Sequence, residues 1–185
     1  MTVTMGQKVY YAGRGPYLVA DLVSKVVCGA SAKFYKFVLL DESGEELLVP
    51  VASASLLPLR PLTAFNKIPE LLGRLKNRSG PPREMGNWRE REEIRAKVFA
   101  SGSAFELGDF LESMTRSSNV RRLGADEFEA MRRARKLLTA EIAAVMGESL
   151  SITGSRIEDV LNPEQTVIAK SVNKRLTLGR AQNRR

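Results

Sequence analysis

The hydrophobic pattern of this chain changes period once, at Arg60-Pro61, and that change decides what each part can become. Before it, apolar residues come in short runs: Lys8-Val9-Tyr10-Tyr11, Tyr17 to Val23, Lys33 to Leu40 and Glu46 to Pro50. Gly13-Arg14-Gly15-Pro16, Cys28-Gly29-Ala30-Ser31 and Asp41 to Glu45 supply the turn chemistry between them. Strands this short must bend into a small barrel or open sheet. A five-stranded SH3-like or Tudor-like barrel is the economical expectation, because closure hides the edges of so small a sheet.

After Pro61 the spacing becomes helical. Thr63 is placed to cap a helix carrying Phe65, Ile68, Leu71, Leu72 and Leu75, with Pro69 expected to kink or shorten it. Ser79-Gly80-Pro81-Pro82 then breaks the pattern. Helices are expected over Trp88 to Ala100, Ala104 to Thr115, Ala125 to Met146 and Ser155 to Leu161, with a polar connection at residues 116–124. The fold class is therefore α+β. Its expected divisions are a small β domain at 1–62, a connecting helix and linker at 63–87, an all-α domain at 88–162 and a basic tail at 163–185.

Composition removes more functions than it suggests. With one cysteine, Cys28, and no histidine, neither an intramolecular disulfide, a usual zinc site nor a Ser-His or Cys-His catalytic unit can be assembled, so no enzyme, metal or cofactor is expected. No apolar run approaches the roughly 18 residues of a membrane span, and the first residues lack signal-peptide character, so the expected place is the cytoplasm. The net charge of +8 is unevenly placed: Lys170, Lys174, Arg175, Arg180, Arg184 and Arg185 stand without an acid among the last sixteen residues. A nucleic-acid face on the folded part must then come from local segregation of charge.

Trp88, the one tryptophan, stands in Gly86-Asn87-Trp88-Arg89-Glu90-Arg91. Asn87 suits an N-cap, so Trp88 would open a helix beside Arg89 and Arg91. An aromatic among arginines suits nucleic acid, while a ring at a helix start equally suits domain packing. Other features have plain readings. The run Arg132-Arg133-Ala134-Arg135-Lys136 fits a solvated helix face, Gly13-Arg14-Gly15 a turn, Cys28 a small apolar role, and the acids around Ser43 a solvent-facing hairpin tip.

The order of the pieces resembles the CarD/CdnL family of bacterial transcription regulators. The matching segments are Val9-Tyr10-Tyr11 with Gly15, Lys25 to Gly29, Phe34-Tyr35-Lys36-Phe37, Val49-Pro50-Val51, Leu57 to Arg60, Asn87 to Arg91, Ala100-Ser101-Gly102, Leu107 to Met114, Leu123 to Glu127 and Ala134 to Ile142. The resemblance implies a non-enzymatic factor whose N-terminal domain docks on the β subunit of RNA polymerase, through Lys25, Val27, Val49 and Pro50. It implies a helical domain that touches promoter DNA, with Trp88 wedged into the minor groove to stabilise the open complex and Arg89 and Arg91 beside it. Neither a membrane nor a small-molecule substrate is implied, and the factor would reach the nucleoid through polymerase. The chain departs from the pattern at Leu48 and Phe128, where a basic residue is expected, and in the diluted run Arg89-Glu90-Arg91-Glu92-Glu93. DNA contact could accordingly move to Arg121, Arg122, Arg132 and Arg133, or to the tail. A polymerase adaptor with little DNA contact, and an RNA- or ribosome-associated protein, remain as alternatives.

Overall fold

The computed structural model describes residues 3–76 and 87–163. Strands β1 (Lys8–Tyr11), β2 (Gly15–Val27), β3 (Ala30–Leu39), β4 (Glu46–Pro50) and β5 (Leu59–Pro61) form one antiparallel sheet in the order β4-β3-β2-β1-β5. A 3-10 helix at Val51–Leu56 carries the chain from β4 to β5. Helices α1 (Ile68–Lys76), α2 (Trp88–Ser101), α3 (Ala104–Val120), α4 (Ala125–Met146) and α5 (Leu150–Leu161) follow, so the class is α+β. No described helix is long and apolar enough to cross a membrane.

The sheet is open, which corrects the expected closed barrel. β5 has only three residues, and instead of closing onto β4 it is covered by contacts from its Arg60 to the helical part. A very short edge strand is one way in which a sheet limits its exposed edge without closing. β2 and β3 pair through a two-residue turn in which Cys28 (φ 51°) and Gly29 (φ 79°) both take the left-handed conformation, as a hairpin turn matched to strand twist requires. The register slips between Val19 and Asp21, and the buried positions of β2 stop there. Beyond that bulge the hairpin projects as an arm.

Two cores result. Val9, Tyr17, Val19, Phe37, Leu39 and Val49 pack within the sheet part, and Leu71, Leu107, Leu111, Leu138, Ile142 and Ile157 within the helical part. β1 serves both, because successive strand residues point to opposite faces: Val9 enters the sheet core and Tyr10 the helical one. α1 lies on α3 and α5 through Ile68, Leu71 and Leu75, so this helix builds core as well as connecting. It begins later than expected, after a 3-10 turn at Phe65–Lys67. Pro69 then falls in its first turn, where a missing N–H costs nothing, and the expected kink does not arise. α3 continues through most of the expected 116–124 connection. α5 starts at Leu150 rather than Ser155, because Ser149 caps it by accepting from the Ile152 N–H at 3.3 Å.

Candidate functional site

Sheet and helices are joined by a polar junction around Glu141, a fully buried carboxylate on α4. Both of its oxygens accept from Arg60 of β5 at 2.7 Å, and Oε1 also accepts from the Thr63 N–H and hydroxyl at 2.9 and 2.8 Å. Arg60 in turn donates through Nε to the Gly102 carbonyl at 2.8 Å and lies 4.0 Å from the Tyr10 ring centroid. Burial, reinforced by the Glu141 charge, pushes the Tyr10 hydroxyl well above its ordinary range. Gly102 ends α2 at φ 62°, and a side chain there would meet Ala12 and Tyr10 at 3.1 Å. Further ties come from Lys8 to the Ala144 carbonyl (2.9 Å), Arg133 to the Gly13 carbonyl (2.8 Å) and Lys136 to Asp41 (3.2 Å). Burial alone would raise the Asp41 carboxyl, but donors from Ser43 and Lys136 outweigh it and hold the group below the usual range.

A second constellation gathers where α2 and α4 begin. Asn87 caps α2 by accepting from the Glu90 N–H at 3.1 Å, so Trp88 is the first residue of that helix, as expected. Glu127, in the first turn of α4, accepts from both Nη atoms of Arg121 at 2.8 Å and from the Gly124 N–H at 2.9 Å, with Arg91 Nε at 3.8 Å. Arg121 above all holds its carboxyl down at about 2, so Glu127 is charged throughout the neutral range.

The arginines named from sequence divide accordingly. Arg91 and Arg121 meet at Glu127, and Arg89 and Arg122 are exposed. Arg132 lies farther along α4, paired with Glu129 at 2.9 Å. Arg133 is turned toward the sheet, on the Gly13 carbonyl and 4.6 Å from the Phe99 ring centroid, which makes it a junction residue. On the sheet, Lys25 and Val27 stand exposed on the hairpin arm, and Pro50 is exposed at the end of edge strand β4. The register places Val23, Phe34 and Pro50 in line, so the arm and the end of β4 share one end of the sheet. Val49 differs: at 4% exposure its side chain belongs to the sheet core.

Reasoning from the sequence overlooked Arg60, Glu141 and Glu127 as organising residues. A signal existed for Glu141, one carboxylate inside the apolar run Leu137 to Ala143, since a charge on the inward face of a helix must find a partner.

The described residues thus form an open sheet joined to a helical unit, with exposed residues on each. The family model described as CarD, C-terminal domain, matches residues 70–176, and the chain belongs to the CarD family. Membership makes it a CarD-like transcription factor of the kind that interacts with RNA polymerase, within a non-enzymatic family. No curated protein matches the chain.

Proposed function

We propose that this protein docks on the polymerase β subunit through the far end of its sheet and stabilises the promoter open complex through its helical part, with Trp88 wedged into the minor groove. The observation that carries this reading is the family match over 70–176, which includes the Asn87-capped start of α2 with Trp88, Arg89 and Arg91. Residues 1–62 act as the docking unit and 88–162 as the DNA unit, with the basic tail from 163 onward adding phosphate contacts. The hairpin arm offers Lys25 and Val27, and edge strand β4 offers main-chain groups to which an extended partner segment can add. The Glu141 junction serves this role by fixing one surface relative to the other, so that docking on polymerase sets the helical face against DNA without further ordering. The factor would accumulate at the nucleoid through polymerase.

The experiment is Trp88→Ala, read two ways. A wedge makes its contact only in the distorted complex, so folding and polymerase binding should persist while the open-complex lifetime falls roughly tenfold, equivalent to about 1.4 kcal/mol. A tryptophan that serves packing would instead cost about 3 to 5 kcal/mol of stability. A large fall in melting temperature with no promoter-specific defect in the remaining folded protein would rule out the wedge.

A second reading, a polymerase adaptor with little DNA contact, is favoured by the ion pairing of Arg91, Arg121 and Arg132 to carboxylates of their own chain. It requires normal polymerase binding and an open-complex lifetime that this protein leaves unchanged.

A further inference from the structure

We propose that Glu127 is a positioning residue for the DNA face: its carboxylate aligns Arg91 and Arg121 into one cationic edge and sets the direction in which the start of α2 presents Trp88. This rests on the reading of the helical part as DNA-contacting.

α2 is poorly held by apolar packing. None of its residues with a described side chain is buried, and Val98 and Phe99, which reach the core, lie in its last turns. The orientation of its opening turns must therefore come from elsewhere. Arg91, in the first turns of α2, ties that end to α4 through its ion pair with Glu127 at 3.8 Å. Arg121, from the connection between α3 and α4, closes on the same carboxylate with a two-pronged fork, and the Gly124 N–H adds a fourth contact. One side chain thus joins α2, the connection and α4.

A carboxylate on a DNA-facing surface ordinarily repels phosphate. Here the cations cover it: the Glu127 side chain is 12% exposed, whereas those of Arg121 and Arg91 are 43% and 32% exposed. Each guanidinium carries five N–H donors, more than these contacts use, so the outward edges of both remain able to meet phosphate. Arg95 lines the same hollow together with Asp126, but it is largely covered and paired with Glu92, so the cationic edge rests on Arg91 and Arg121.

The test uses full-length Glu127→Gln and Glu127→Asp beside wild type and Trp88→Ala. Glutamine keeps the size of the side chain and removes its charge. With a repelling charge gone, affinity for free duplex DNA should rise about twofold, while loss of the arginine alignment shortens the open-complex lifetime by about fivefold. Aspartate keeps the charge but is a methylene short, so duplex affinity should hold while the lifetime again falls. These opposed signs separate positioning from plain electrostatics, under which Glu127→Gln would improve both measurements. They also separate it from a structural role, under which both would fall with the folded fraction seen in melting curves. Either result overturns the inference. If Trp88→Ala shortens the lifetime and both Glu127 variants match wild type, the inference fails and the DNA-contact reading stands. If wild type itself does not prolong the lifetime, the reading fails and takes the inference with it.

Discussion

Glu141 has no surface in water, and its carboxylate oxygens are met by Arg60 and Thr63 instead. Removing one partner of a buried pair leaves the other uncompensated, and Glu141→Ala should lower unfolding free energy by about 3 to 5 kcal/mol. Tyr10, packed beside the pair, should respond in the opposite way. Its hydroxyl is buried and has no hydrogen-bond partner among the described residues, while its ring carries the Arg60 stacking. Tyr10→Phe keeps the ring and discards a desolvated hydroxyl, so stability should hold or rise by up to about 1 kcal/mol. Urea unfolding of the two variants checks both signs. A cost below about 1 kcal/mol for Glu141→Ala would show that the junction is not what fixes the sheet to the helices.

At the scale of elements, the hairpin arm is the part of the sheet with least to do in the fold. Past the bulge its apolar residues Leu22, Val26 and Val27 are exposed, and Lys25 stands among them. On the docking reading, Lys25→Glu in the full-length protein should weaken binding to a polymerase β fragment about tenfold, because a reversed charge opposes a partner that the arm otherwise attracts. Leu48→Ala should do less, since Leu48 is half-buried on β4. Calorimetric titration distinguishes them, and equal affinities for Lys25→Glu and wild type would remove the arm from the interface. The elements themselves were largely legible. β1 and β4 run over the segments that alternation picks out, and α4 runs from Ala125 to Met146 because its apolar stripe and the closing Gly147 are local signals. What escaped was tertiary in origin. Periodicity near Thr63 could not show that its N–H and hydroxyl would be taken by Glu141, 78 residues away, which leaves the helix to start at Ile68. Nor could it show that β5 would tie the sheet to the helices through Arg60 instead of closing a barrel. The candidate site was legible as a set of residue types around Asn87 and Trp88. Its wiring was not, because Arg91, Arg121 and Glu127 meet only when three segments converge.

Across the whole molecule, charge and shape are allotted to different regions. Six of the eight net positive charges lie in residues 170–185, outside the described residues, while the arginines of the folded part are mostly paired with acids. Counterion release follows the number of phosphates neutralised, whereas bubble stability follows contacts made only on distorted DNA, and the two need not share residues. Deleting 170–185 should therefore lower affinity for free duplex DNA and make its salt dependence shallower, by as much as about 5 units in the slope of log K against log salt if all six cations meet phosphate. Trp88→Ala should leave that slope where it was and act on open-complex lifetime. Binding isotherms across a salt series, run beside lifetime measurements on the same two variants, test the division. If the deletion leaves the slope unchanged, the tail has another role, and the folded arginines must hold the phosphates by exchanging their internal carboxylate partners for DNA.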